Sequence, residues 1–261
     1  ILMPGNNILS FDQQEASEAL LLLESRFGWP SYDQLKKDNP SEETKNKFYQ
    51  SVTLYSSENR GVFRRARVHD FQMTISLSLN PKDDNNELLN IGDFFRKQYQ
   101  GDLLDCSVKF KLGNEKQDNE VGTFTKEEAL VNLPKTLSIN IQRNYHDEAE
   151  ALIAYSQNRE PAKKKSKRDI DLSPNATILL YEHDPDLVGF EDDSTKMNIV
   201  PRFACEYQVA AAIIHGGGAG GGHYTCLEIT ERGDCLYHND GYVTPLGMDE
   251  AVKRCRQATF L

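Results

Sequence analysis

From Gly216 to Val243 the chain reads GGGAGGGHYTCLEITERGDCLYHNDGYV, and few arrangements accommodate it. The glycine run permits a tightly approaching backbone. Tyr224 to Ile229 then reads as a strand, Arg232-Gly233-Asp234 as a turn, and Cys235 to His238 as the strand that returns. The hairpin brings Asn239 and Asp240 back toward His223. On a regular strand His223 and Thr225 share one face while Tyr224 and Cys226 share the other. A histidine so placed can act as a general base, with Asn239 or Asp240 accepting from its ring and fixing one tautomer. Spacing alone describes an ordinary strand histidine beside a glycine loop equally well, and taken by itself favours that reading.

The rest of the chain sets this hairpin in an α+β context. Asp12 to Phe27 is predicted helical: Asp12 and Glu15 have capping-box spacing, Ala16, Leu20, Leu23 and Phe27 form one face, and Gly28 and Pro30 end it. A second helix is expected over Ser41 to Gln50, a short one near Ile91 to Tyr99, and a closing one from Asp249 to Cys255. Phe71, Met73, Ile75, Leu77 and Leu79 alternate as in a strand with one buried face. Further strands are expected over Cys106 to Leu112, Val121 to Phe124, Thr136 to Arg143, Ile178 to Tyr181 and Tyr207 to His215. Residues 156–168 carry few apolar side chains and the run Lys163-Lys164-Lys165-Ser166-Lys167-Arg168. They read as a mobile basic surface loop, with a nuclear-localisation signal as the less favoured alternative. Helices precede mostly antiparallel strands, which is the α+β order.

Composition narrows the setting. A net charge of −10 argues against non-specific nucleic-acid binding and permits a basic partner. No apolar run is long enough to cross a bilayer, and no signal-peptide layout opens the chain. The five cysteines, Cys106, Cys205, Cys226, Cys235 and Cys255, are scattered and form no CxxC pair. That excludes a disulfide scaffold and a cysteine-rich zinc site and suits a reducing, intracellular compartment, cytoplasm or nucleus. Cys106 falls in an expected strand, Cys205 and Cys235 flank strands, Cys226 faces away from His223, and Cys255 ends a helix. None has the helix N-terminal or basic surroundings that activate a thiol.

GGGHYT, a hairpin and YHNDGYV together resemble the histidine box of the ubiquitin-specific proteases. Tyr207 to Gly216 (YQVAAAIIHG) is similar to that family's YxLxAVIxHxG strand, and Leu133 to Arg143 (LPKTLSINIQR) to its LPxxLxIxLxRF segment. Gln13 to Glu18 (QQEASE) resembles its QQDAxE helix, and the strand near Phe71 its FxxLSL region. The matching stretches keep the family's order from residue 13 to residue 243. The resemblance implies a papain-like cysteine-protease fold of thumb, palm and fingers, and cleavage after the ubiquitin C-terminus. Residues 1–261 would form one domain: thumb helices in 1–60, fingers and palm strands in 61–135, and the palm with its histidine box in 136–261. His223 would be the general base, Asn239 would orient it, and Asp240 would assist. Glu15 and Glu18 would meet the basic tail of ubiquitin, although Glu15 also fits a helix cap and Glu18 an exposed helical charge. Tyr224 and Gly222 would line the channel for that tail; a half-buried strand tyrosine is the plain alternative for Tyr224.

The departures matter equally. The family's cysteine box precedes its QQDA helix, and no cysteine precedes Gln13 here. The chain also opens on Ile1, which suggests residues upstream. The fingers region offers only Cys106, so neither zinc nor any other cofactor is expected. Glu15, Ala19 and Asn144 replace family residues and leave the choice between ubiquitin and a ubiquitin-like protein open. Two functions follow: a deubiquitinase whose cysteine lies on an upstream segment or a separate chain, or a non-catalytic module that binds ubiquitin or a ubiquitin-like protein as a scaffold. An unrelated α+β protein with a chance glycine-histidine loop is the third and weakest.

Overall fold

A computed structural model of the protein describes residues 48–59, 62–72, 74–79, 88–93, 95, 104–109, 121–190 and 197–261. The strands in chain order are β1 (Tyr49–Asn59), β2 (Val62–Gln72), β3 (Thr74–Ser78), β4 (Leu89–Asn90), β5 (Leu104–Lys109), β6 (Val121–Asn132), β7 (Ser138–Gln142) and β8 (Asn144–His146). Helix α1 (Glu148–Ser156) is followed by β9 (Lys163–Lys165), β10 (Ile170–Asp171), β11 (Thr177–His183), β12 (Gly189–Phe190), β13 (Met197–Asn198) and β14 (Pro201–Gln208). Last come β15 (Ala211–Gly218), β16 (Gly221–Ile229), β17 (Cys235–Asn239), β18 (Tyr242–Leu246), helix α2 (Met248–Cys255) and β19 (Ala258–Phe260). The helix expected over residues 12–27 lies outside the described residues. No helix among the described residues is long and apolar enough to cross a membrane.

The main sheet has seven strands in the order β18-β17-β16-β15-β19-β7-β3. Its core follows from alternation: Ile75 and Leu77 on β3 and Ile139 and Ile141 on β7 are buried, and the parallel register sets Ile75 against Ile139 and Leu77 against Ile141. Leu227, Ala212 and Ile214 extend this core, and Ala251 and Cys255 of α2 close over it. The C-terminal strand β19, which no pattern announced, fills the gap between β15 and β7. A second, antiparallel sheet, β2-β1-β6-β5, has its own cluster of Val52, Leu54, Ala129, Val131 and Val188.

Several expectations need correction. The helix over Ser41 to Gln50 does not reach its end, because Tyr49 and Gln50 open β1. The thumb segment assigned to residues 1–60 therefore gives way to a hairpin from Tyr49 onward. The alternating run from Phe71 to Leu79 is divided: Phe71 and Gln72 end β2 in one sheet, and Thr74 begins β3 in the other. Period-two alternation survives a change of sheet, so sequence alone does not reveal it. The strand from Tyr207 to His215 is likewise broken at Val209 and Ala210, where the chain leaves β11 and joins β16.

The mobile loop over residues 156–168 is also corrected. Lys163–Lys165 form strand β9 against β8, and Ser166 is buried with its N–H donating to the Arg143 carbonyl at 2.8 Å. Polar composition signals solvent contact, and an edge strand supplies that as readily as a loop does. Helix α1 was not foreseen. Asp147 caps it by accepting from the Ala149 and Glu150 N–H groups at 3.1 and 3.2 Å, but Leu152, Ile153 and Tyr155 stay exposed and leave no core-facing stripe.

His183 ties β11 to β6. It is buried, and its Nδ1 donates to the Leu130 carbonyl at 3.1 Å while Nε2 has no hydrogen-bond partner. Burial is the main cause that holds its pKa below 6.5, partly offset by the Leu130 bond. The unfolded chain therefore takes up a proton at a pH where the folded one does not. That contribution to stability is complete above pH 6.5 and is lost as pH falls toward the folded value. Denaturant midpoints at pH 7.5 and about 5.5 should fall more for the wild type than for His183→Gln; equal falls would remove His183 as the cause.

Candidate functional site

Glycine is required at two positions of the β15–β16 hairpin. Gly217 has φ of +122°, and a Cβ there would lie 2.6 Å from the Gly221 carbonyl oxygen. A Cβ on Gly222 would lie 2.0 Å from the Gly216 carbonyl oxygen and 2.4 Å from His215 Nε2. Gly218 and Gly220 have open space where a Cβ would go. The register sets Gly216 opposite His223, Gly217 opposite Gly222 and His215 opposite Tyr224.

His223 projects where the pairing between β16 and β17 ends, beyond Cys226 opposite His238. Its Nε2 lies 2.6 Å from Asn239 Oδ1. An amide oxygen only accepts, so Nε2 carries the proton and Nδ1 is the basic nitrogen. The Asp240 carboxylate is 3.7 Å from the same Nε2, too far for a hydrogen bond. Asp240 lies in the turn after β17 rather than on the returning strand, with φ of 51°, a left-handed conformation that Asp tolerates. Both groups are well exposed, with side-chain exposures of 52% for His223 and 78% for Asp240.

Tyr224 points to the other face. Its ring lies 4.6 Å from that of His215, and both line a cavity of about 260 Å³ with Lys165, Arg143 and Tyr145. The structure thus unites His223, Asn239 and Asp240 and places Tyr224 away from them. Gly222 lies beneath the His215 ring. Glu15 and Glu18 lie outside the described residues. Sequence reasoning missed His215 and Lys165, whose ammonium lies 3.0 Å from His215 Nδ1. The His215–Tyr224 pair could have been found by aligning the hairpin's two arms; Lys165 is remote in sequence and could not.

The cysteines offer no activated thiol among those whose surroundings are described. Burial pushes the Cys205, Cys226 and Cys235 thiols up, helped by Glu182, Glu228 and Asp234 in turn. Cys255 is pushed up to about 12, by burial and then by Cys235. A nucleophilic cysteine needs the opposite shift. Cys106 lies on β5, paired with Phe124 of the second sheet.

The family model described as ubiquitin carboxyl-terminal hydrolase matches residues 6–261. Ubiquitin carboxyl-terminal hydrolase 9Y of Mus musculus is 27% identical over 173 residues, a stretch covering 62% of this chain and 6% of the mouse protein. Among solved structures, the SAGA DUB module Ubp8/Sgf11/Sus1/Sgf73 bound to monoubiquitin matches with a TM-score of 0.59 at 15% identity, over 96% of this chain and 48% of that one. The same module bound to ubiquitin aldehyde matches with a TM-score of 0.59 at 15% identity, over 96% and 49%. The chain spans about half the length of these solved relatives, and at that identity the likeness shows the fold. Because the family model takes in nearly the whole sequence, the chain belongs to the ubiquitin carboxyl-terminal hydrolase family.

Proposed function

We propose that this domain is the larger part of a papain-like deubiquitinase site that cleaves the bond after the ubiquitin C-terminus. Its nucleophilic cysteine would be supplied by a segment outside this sequence. The observation that carries the reading is the 2.6 Å contact of His223 Nε2 with Asn239 Oδ1. It fixes the tautomer in which Nδ1 can take a proton from a thiol. The thiolate attacks the carbonyl carbon of ubiquitin's last residue, and the imidazolium returns the proton to the departing amine. Water then hydrolyses the thioester with His223 again as base. Asp240 stabilises the imidazolium during both steps.

Ubiquitin is the proposed partner because the solved relatives hold it. Glu15 and Glu18 are proposed to pair with its basic tail. Tyr224 and Gly222 belong to the proposed tail channel, with Tyr224 acting from the face opposite His223. A second reading, a ubiquitin-binding scaffold without hydrolysis, draws on the raised thiols of Cys205, Cys226, Cys235 and Cys255. Ubiquitin binding without turnover would favour it.

Asn239→Ala separates the two. In the polypeptide that includes the cysteine, it frees the His223 ring to rotate and should lower kcat about 10- to 100-fold on a fluorogenic ubiquitin C-terminal amide, with KM little changed. Asn239→Asp keeps an acceptor and should retain most activity. An unchanged kcat in Asn239→Ala would remove this residue from the site.

A further inference from the structure

Lys165 was expected to be one solvated charge in a basic run. Instead its Nζ donates to the His215 carbonyl at 2.5 Å and the Gly217 carbonyl at 3.1 Å, and lies 3.0 Å from His215 Nδ1. An ammonium has three protons and no lone pair, so His215 Nδ1 accepts and all three donors go to one short segment of β15. Those carbonyls flank Gly216, the residue paired with His223. On the other side of β15, pairing with β19 involves Ile213 and Ile214, and no described strand continues it beside His215 to Gly218.

The base of this tether is fixed. Lys165 pairs with Asn144, and Ser166 bonds the Arg143 carbonyl. Arg143 is buried, and its guanidinium donates to the Ala258, Arg168 and Arg256 carbonyls at 2.8, 2.6 and 2.8 Å. Burial, and secondarily the charge of Arg143, holds the Lys165 pKa below its ordinary value. A half-buried cation kept in place against that cost has a positional role.

We propose that Lys165 is a positioning residue for His223, its ammonium holding the His215 and Gly217 carbonyls and so clamping Gly216, which keeps the imidazole in reach of Asn239. The proposal deepens the hydrolase reading and rests on it for its significance. Its test can nonetheless be read without catalysis, in the 261-residue chain. Histidine ¹⁵N spectra, assigned with His223→Gln, should show wild-type His223 as a single Nε2–H tautomer. Lys165→Met should give averaged tautomers and at least about tenfold faster exchange of the Gly217 and Gly222 amides, while Lys163→Met, the same charge change on the same strand, should leave both as in the wild type. If Lys165→Met does not fold, Lys165→Gln carries the same expectations. Wild-type spectra and exchange in the folded Lys165 variant would overturn the proposal. Mixed tautomers already in the wild type would instead count against the His223–Asn239 base, while faster glycine exchange in the variant would still support the clamp.

Discussion

His223→Ala is expected to lower kcat about 10³- to 10⁴-fold on ubiquitin C-terminal amides, in the polypeptide that joins this domain to its cysteine. General acid–base catalysis alone contributes about 10²- to 10⁴-fold. In the proposed mechanism one imidazole both generates the thiolate and protonates the leaving amine, which places the loss at the upper end. Ubiquitin affinity should change less than about threefold, because the exposed ring contributes little to the core. His238→Ala is the matched control. It removes another strand histidine, whose Nε2 contacts Glu228 at 2.8 Å on the opposite face, and should leave kcat within about threefold. A His223 variant that retains activity, or a His238 variant that loses it, would contradict the assignment of the base.

Gly222→Ala should damage both fold and site. The added methyl meets the Gly216 carbonyl oxygen at 2.0 Å, and a backbone atom in a paired strand cannot swing aside as a flexible side chain can. The hairpin arms must separate, at a cost of about 1–3 kcal/mol. Because Gly216 pairs with His223, that separation also moves the base. Activity should then fall further than the lost folded fraction explains. Gly218→Ala and Gly220→Ala meet nothing within 4 Å and should melt like the wild type. Thermal melts of the three variants, with kcat normalised to folded protein, decide the matter. Equal behaviour at all three positions would show that the glycines serve mobility rather than close approach.

The hairpin was legible because its signals are local. Gly233 in its turn, alternation through Leu227 and the return through Tyr237 are all short-range, and the register follows from them. The shared face of His223 and Asn239 could therefore be anticipated. What escaped was set by long-range pairing. The division of Phe71 to Leu79 between two sheets depends on which partner each half finds, β1 or β7. Strand β19 forms because β15 and β7 leave a slot between them, and its three residues carry too little pattern to announce that. Lys163 to Lys165 read as solvated loop because charge reports exposure, whereas an edge strand depends on the partner β8 offers. The tether from Lys165 to His215 crosses fifty positions. The family's ordered motifs drew attention to the stretch that carries His223 and Asn239, and the alternation of β16 turns Tyr224 to the other face of the sheet, toward His215.

His223 and Asn239 are proposed to serve a cysteine that lies outside this sequence. The most direct measurement reacts the natural gene product with ubiquitin bearing a C-terminal thiol-reactive electrophile, reads the intact mass, and maps the modified peptide. The expected result is a single adduct on a cysteine other than the five of this chain, much slower to form in His223→Ala. An adduct on Cys106, Cys205, Cys226, Cys235 or Cys255, or reversible ubiquitin binding with no adduct, would contradict it.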